Sequence, residues 1–301
     1  MLPDRLQRAR LSLLGLCVGD ALGSQFFVPG NRHHLSSRSL PPAPWQWTDD
    51  TEMACSVYLT LAIHHSIDQD ALATSFARRH DFDRGYGPAT GRLLRLVRNG
   101  ADWRALAAAL FDGNGSWGNG AAMRVAPLGA FFAGDPAEAA RQAALSATVT
   151  HTHPEAVAGA IAVAVAAAHA ASGPLPPGPF IDRILEHVPP GKVHDGIREA
   201  RRLLTVSDPE TAAYFLGNGR TVAAHDTVPF TIWAAARHRT SYEQAIWATA
   251  AAGGDVDTTC AIVGGIIAAG LGPGQLPAAW RRATEPLPAW IAPATSGPDY
   301  S

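Results

Sequence analysis

The stretch PEAVAGAIAVAVAAAHAA, Pro154 to Ala171, decides how the rest of the chain is read. A proline can open a helix, because the N–H it lacks would find no partner in the first turn and its φ is already helical. The residues after Pro154 are dominated by alanine, which a helix costs least, and the apolar ones among them do not alternate as a half-buried strand would. The same habit recurs outward from this stretch on both sides. Helices are expected over Leu6 to Leu22, Thr51 to His65, Ala71 to His80, Gly91 to Val97, Trp103 to Phe111, Ala137 to Ala147, Pro154 to Ala171, Phe180 to Val188, Ile197 to Leu204, Thr211 to Phe215, Pro229 to His238, Tyr242 to Ala252 and Thr258 to Gly270. No β-hairpin, tandem repeat or heptad run competes with them. The chain therefore reads as all-α, a single orthogonal multi-helix bundle.

Small residues account for how such helices could lie close. Gly15, Gly19 and Gly23 stand four apart, as do Gly264 with Ala268 and Gly265 with Ala269. A helix-interior glycine costs ~1 kcal/mol relative to alanine, which a close helix–helix approach must offset. The proline- and glycine-rich stretch from Ser172 to Lys192 reads as a surface loop inside one domain. The helical domain is expected over 1–285, with a proline-rich tail over 286–301 on the surface.

With 301 residues, 47% of them hydrophobic, and a formal net charge of -2, the chain can build a sizeable core and shows no general attraction to nucleic acid or anionic membrane. Cys17, Cys55 and Cys260 lie far apart in apolar surroundings, without metal spacing, and read as free buried thiols. Arg5, Arg8 and Arg10 before Leu11 to Val18 are arranged as in a short signal peptide, but Gly19-Asp20 breaks the apolar run and the helical pattern continues past it. No segment offers ~18 uninterrupted apolar residues for a membrane span. A cytoplasmic monomer is expected.

The chemistry concentrates in two short acidic motifs, Trp47-Thr48-Asp49-Asp50-Thr51-Glu52-Met53 and Gly253-Gly254-Asp255-Val256-Asp257-Thr258-Thr259, each opening a helix-patterned segment. Capping is the plain explanation: Asp49 with Glu52 fits a capping box, and Asp257 could cap the last long helix. Capping needs one acid per helix, however, and here paired acids flanked by threonines occur twice. The alternative is a cation site, since ligands drawn only from carboxylates and hydroxyls suit hard ions such as Mg²⁺ or Mn²⁺. Four converging carboxylates are about what two such ions require, and ions ~3.5–4 Å apart can activate a water.

The segment Ser116-Trp117-Gly118-Asn119-Gly120-Ala121-Ala122-Met123-Arg124 joins a glycine loop to an apolar segment. Small residues let backbone N–H groups approach an anion, a following helix N-terminus favours negative charge, and a diphosphate suits both. Trp117 offers a stacking face, or else is core. Asp83 to Pro88 is a weaker case of the same kind, and Leu216 to Arg220 weaker still. His151 and His153, before Pro154, could ligate metal, donate to phosphate or ribose, or satisfy the helix end; metal ligation is the least expected of these.

Taken in order, these motifs resemble the ADP-ribosylglycohydrolase family. The resemblance rests on Gly19-Asp20-Ala21-Leu22-Gly23, Trp47 to Met53, Arg84 to Gly87, Ser116 to Pro127, His151 to Ala160 and Gly253 to Ala261. It implies an all-α fold and two divalent cations, Mg²⁺ or Mn²⁺, held by Thr48, Asp49, Asp50, Asp255, Asp257 and Thr258. Ser116, Trp117, Gly118 and Asn119, with Gly87 and His151, would line an ADP-ribose site. Asp49, Asp50 and Asp257 would act at the scissile ribose, through an oxocarbenium-like state. The implied substrate is an ADP-ribosylated protein, nucleic acid or small molecule, with ADP-ribose as product. Members usually carry a glutamate shortly after the Gly-Asp-Ala-Leu-Gly motif; here Phe27 stands in its place, within Ser24-Gln25-Phe26-Phe27-Val28. Two other functions use the same residues: a two-metal phosphoester hydrolase on a nucleotide-like substrate, and a non-catalytic ADP-ribose-binding or structural relative.

Overall fold

The structure is a computed structural model that describes residues 2–272 and 274–291. The described residues form sixteen α-helices: α1 (Leu2–Ser24), α2 (Arg32–Ser37), α3 (Asp49–His64), α4 (Gln69–Arg79), α5 (Pro88–Arg98), α6 (Trp103–Ala109), α7 (Ala126–Phe131), α8 (Pro136–Thr148), α9 (Pro154–Ser172), α10 (Pro177–Leu185), α11 (Lys192–Arg202), α12 (Pro209–Leu216), α13 (Ala224–Arg237), α14 (Tyr242–Ala251), α15 (Val256–Ala269) and α16 (Ala278–Ala283). Among them there is no strand, only isolated bridges between Trp45 and Thr284 and between Gly118 and Ala223.

Every expected helix is present, and the short α2, α7 and α16 are additional. Several helices start one or two residues before their apolar pattern, because a cap lies there: Asp68, Asp135 and Asp208 accept the N–H of Ala71, Glu138 and Thr211. The helix expected to begin at Pro229 instead begins at Ala224 and carries that proline inside it. Proline is tolerated there with its ring against α11, where a Cβ on Gly196 would lie 3.0 Å from the Pro229 Cβ. The stretch from Ser172 to Lys192 is likewise more than a loop. It contains α10, whose Phe180, Ile181 and Ile184 are buried, so its prolines set helix ends rather than a surface excursion.

The innermost pair is α1 with α15, and the glycine stripe explains its closeness. A Cβ on Gly15 would lie 2.6 Å from the Gly264 carbonyl oxygen, and one on Gly23 would lie 2.6 Å from the Val256 carbonyl oxygen and 2.8 Å from the Asp257 Cα. The two backbones are therefore in contact from the middle of α1 to its end, and that end meets the start of α15. Cys17, Cys55 and Cys260 are free and buried in this core. By length and mean hydropathy α9 could cross a membrane, yet it is wrapped by the bundle, with Ala156 and Ala158 through Ala168 buried. After α16 the chain returns to the core: Ile291 is buried, and Arg79 lies over the Trp290 ring at 4.7 Å. The rest of the proline-rich tail, 292–301, falls outside the described residues.

Candidate active-site cleft

The front acidic motif is held from another helix. Thr48 precedes α3 in cap position but makes no side-chain cap. Asp20 of α1, fully buried, takes over that task. Its carboxylate accepts the N–H groups of Thr48 (2.9 Å) and Thr51 (3.2 Å) and their hydroxyls (2.8 and 2.6 Å). An N–H of the first turn that a local cap would satisfy is thus satisfied across the fold. The capping box does not form: Glu52 turns away to accept from the Asp81 N–H (3.1 Å) and the Tyr86 hydroxyl (2.6 Å). Asp49 and Asp50 are left without capping duty.

The rear motif is held by loops. Asp255 precedes α15 and also makes no side-chain cap. Its N–H donates to the Asn218 carbonyl (3.0 Å), and its carboxylate accepts from the Asn119 amide (2.7 Å). Asn218 also donates its side-chain amide to the Ala252 carbonyl at 2.8 Å. Gly253 and Gly254 adopt φ of 65° and 79°, a region that glycine enters without a Cβ clash, so the turn can double back onto Asn218. Asp257 lies in the first turn of α15 and accepts the Thr258 N–H at 2.8 Å.

Front and rear then meet. The Thr258 hydroxyl donates to Asp50 across 3.4 Å, and carboxylate oxygens of Asp20, Asp50 and Asp257 lie within 4.8 Å of one another, a group able to hold a metal ion. Desolvation raises every acid here. Burial lifts Asp20 to about 6 against its hydrogen bonds, and burial with the Asp20 charge lifts Asp49 to about 8. Burial raises Asp50 and Asp257 well above the ordinary carboxylate range, with Asp20 adding to the first and Asp255 to the second. Burial also raises Asp255. The buried Asp50 Oδ1 has no hydrogen-bond partner.

Above this floor opens a cleft of 470 Å³, lined by Asp49, Asp255, Asp257 and Thr258 on one side and by Gly87, Ser116, Trp117, Gly118, Asn119 and His151 around it. Of the residues singled out in the sequence, Thr48 and Asp50 are absent from its lining. Thr48 instead sits between Asp20 and Asp50, donating within 2.8 and 3.0 Å of each. The loop expected to precede a helix N-terminus leads only into a three-residue 3-10 turn, Asn119–Ala121, with α7 starting at Ala126. The helix N-terminus in the cleft lining is instead that of α5, from Gly87 to Thr90. His153 satisfies the helix end, accepting the Glu155 N–H at 3.1 Å. Trp117 is half-exposed at the mouth and pairs with Phe111, ring centroids 4.7 Å apart.

Four contributors escaped the sequence reading. Asp20 lay inside a quoted motif without a role. Asn218 belonged to the glycine loop ranked weakest, although an asparagine between glycines is a turn signal. Glu52 and Arg84 brace the loop that carries Gly85 and Gly87: Arg84 forms a two-pronged ion pair with Glu285 (2.8 Å each) and lies 3.4 Å over the Trp47 ring. Phe27, in the position where a glutamate was expected, is 51% exposed and does not line the cleft.

Comparison with known proteins agrees with this architecture. A family model described as ADP-ribosylglycohydrolase matches residues 1–296. ADP-ribosylhydrolase ARH3 of Xenopus tropicalis is 27% identical, over 95% of this chain and 93% of its own. The ADP-ribosyl-[dinitrogen reductase] glycohydrolase of Rhodospirillum rubrum is 27% identical, over 92% and 90%. In fold the chain resembles a solved "ADP-ribosylglycohydrolase-related protein complex", with a TM-score of 0.58, 24% identity and 94% of each chain covered.

Proposed function

Because this chain belongs to the ADP-ribosylglycohydrolase family, we propose that it is a metal-dependent hydrolase that cleaves the glycosidic bond between ADP-ribose and a modified acceptor. The observation that carries this reading is the meeting of the two acidic turns beneath a glycine-walled cleft, with Thr258 hydrogen-bonded to Asp50.

The residues fit a hard divalent cation. Asp50 Oδ1 is buried without a partner, the surrounding donors are all oxygens, and burial, then neighbouring like charges, raises Asp49, Asp50 and Asp257 together. Such an arrangement is costly unless protons or cations neutralise it. Thr48, Asp49, Asp50, Asp255, Asp257 and Thr258 would hold two ions, Mg²⁺ or Mn²⁺, while Asp20 keeps Thr48 in place. Bound cations supply Lewis-acid polarisation and a water of lowered pKa. The chain's own residues do the rest. Ser116 to Asn119, with Gly87 and His151, receive the diphosphate, and Trp117 with Phe111 presents an aromatic face to the base. Asp49, Asp50 and Asp257 lie at the ribose end, where the bond breaks and protons must be handled.

Incubation with ADP-ribosylated arginine, serine and nucleobase substrates in Mg²⁺ or Mn²⁺ tests this: free ADP-ribose from at least one is expected. Phe27, exposed in the position of the glutamate, favours a second reading, a binder without turnover. Tight calorimetric ADP-ribose binding with no release from any substrate would establish that second reading. Inorganic phosphate as the product would establish a phosphoester hydrolase instead.

A further inference from the structure

Beneath the glycine wall lies a fully buried arginine that neither the acidic turns nor the cleft lining accounts for. Arg124 has no carboxylate within ion-pair distance among the described residues. It donates from Nη2 to the Ser146 carbonyl in the last turn of α8 (2.7 Å), from Nη1 to the Thr150 hydroxyl (2.9 Å), and lies 4.6 Å over the Phe76 ring. The negative end of α8 and the ring face offset part of the burial of an unpaired cation. Nη1 also lies 3.7 Å from Sδ of Met53, a cleft-lining side chain, but the contact that reaches a titratable ring runs through Thr150. The Thr150 hydroxyl is 2.7 Å from Nδ1 of His151, whose ring reaches the cleft.

We propose that Arg124, acting through Thr150, is a positioning residue that fixes His151 as the tautomer with its proton on Nε2, so that the ring offers the cleft ligand one oriented N–H donor. The argument is a count of protons. Guanidinium only donates, so Thr150 Oγ1 accepts from Arg124 and keeps its own hydrogen to give. Thr150 is buried, and among the described residues the acceptor beside that hydrogen is His151 Nδ1. Were Nδ1 protonated, it would donate to the same oxygen and strand the hydroxyl hydrogen in the interior, which buried polar groups avoid. Nδ1 therefore accepts, and the ring proton is on Nε2. The ring stays neutral: burial, then the Arg124 charge, lowers His151 to about 3. Nε2 faces the glycine loop, where a Cβ on Gly118 would lie 3.3 Å away and one on Gly120 3.0 Å. Those positions leave the donor uncovered on its cleft side. The pattern of a ring whose far nitrogen is set by the bond its near nitrogen makes is general for histidines that bind or catalyse.

That the donor serves ADP-ribose rests on the function proposed above; the tautomer does not, and the experiment separates the two. The ¹⁵N spectrum of the ring in the whole, ligand-free protein should show His151 with an unprotonated Nδ1 and a protonated Nε2, and Thr150→Val should shift or average that pattern. Calorimetry with ADP-ribose should show about tenfold weaker binding in Thr150→Val, the loss of one well-placed hydrogen bond, with Thr150→Ser restoring both spectrum and affinity. A protonated Nδ1 in the unsubstituted protein overturns the proposal, as does a Thr150→Val ring spectrum or affinity identical to the original. If the unsubstituted protein does not bind ADP-ribose, the function proposed above fails, and the ring spectrum still decides the tautomer.

Discussion

The two acidic turns are similar in composition, yet they are held in place by opposite means. At the front, Asp20 reaches from one core helix to the first turn of another and binds Thr48 and Thr51 through four hydrogen bonds, deep in the core. At the rear, Asp255 is held by Asn218 and Asn119, two loop residues, around glycines with positive φ. A buried carboxylate that binds the first turn of a neighbouring core helix cannot let go without a collective move, whereas the loop contacts of Asp255 can open locally; Asp257, packed on Gly23 of α1, is held from the core as the front is. The front turn is accordingly the fixed part of the site, and the loop-held Asp255 end of the rear turn the adjustable part. Asn119 belongs to the cleft wall as well as to the rear turn, so a ligand pressed on that wall also presses on Asp255.

Removing a central carboxylate should break both halves alike and gives the largest effect. Asp50→Asn or Asp257→Asn is expected to lower turnover about 10³-fold or more, at least ~4 kcal/mol of transition-state stabilisation, with the helical circular dichroism unchanged. In the same variants the metal-free protein should melt higher than the original at pH 8, because a repelling buried charge has gone. Full activity in both variants would remove the acidic floor from the reaction.

Asp20→Asn probes the front half alone. An amide retains one acceptor oxygen where the carboxylate had two; with it at the Oδ2 position the bonds from the Thr48 N–H, the Thr51 N–H and the Thr51 hydroxyl persist in weaker form and the Thr48 hydroxyl loses its acceptor, at ~1–3 kcal/mol when buried. The expected result is a clear fall in melting temperature and a fall in kcat of ten- to a hundredfold, on the order of 1.4–2.8 kcal/mol, that excess Mn²⁺ does not restore. Recovery of full kcat at saturating Mn²⁺ would show the front turn to be as adjustable as the rear.

The pH dependence of stability sharpens the contrast between protons and cations in this cluster. In the folded, metal-free protein Asp20 is raised to about 6 and Asp49 to about 8, both from 3.8. A carboxyl whose folded value is raised contributes stability below its unfolded value, and that contribution is lost as pH climbs through the folded one. Buried His151, lowered from 6.5 to about 3, works in the opposite direction up to about pH 6.5, so chelated protein should lose melting temperature from about pH 6.5 to pH 8. Added Mn²⁺ should restore more at pH 8 than at pH 5, since protons and cations compete for the same oxygens. Scanning calorimetry with chelator and with Mn²⁺ measures both slopes; a chelated melting temperature that rises from pH 6.5 to 8 would contradict the burial of these charges.

The helices were legible in the sequence because their cause is local: alanine content, caps and non-alternating apolar residues act within a few positions. The residue types of the site were legible as well, since Thr48 to Asp50 and Asp255 to Thr258 concentrate hard ligands in helix-opening segments. What holds them was not. Asp20 reads as one acid in a core helix until α1 is seen to reach α3, and nothing within 216–220 announces that Asn218 reaches Asp255. The capping box failed for the same reason: Glu52 has the right spacing, but Tyr86 and the Asp81 N–H, set by the fold, compete for its carboxylate and win. The sequence also places Phe27 where an acid was expected without showing that its ring is exposed and off the cleft.

The smallest effect should come from Asn218→Ala, which loosens the rear turn without dissolving it. The side chain donates to the Ala252 carbonyl and accepts a longer bond from the exposed Arg220 N–H (3.3 Å), while the backbone carbonyl that receives the Asp255 N–H is untouched by the substitution. Losing the partly buried bond costs ~1 kcal/mol and the exposed Arg220 N–H can turn to water, so Asp255 should remain in its position but with more freedom. That predicts about a fivefold rise in the Mn²⁺ concentration for half-maximal activity, with kcat at saturating Mn²⁺ unchanged, because bound cation reorders a turn whose backbone tether persists. The front and rear variants thus separate by one measurement, activity across a Mn²⁺ titration. Asn218→Ala moves the midpoint and Asp20→Asn lowers the plateau. A lowered plateau in Asn218→Ala would mean that the rear turn is as rigidly required as the front, and that the glycine loop is part of the frame of the site.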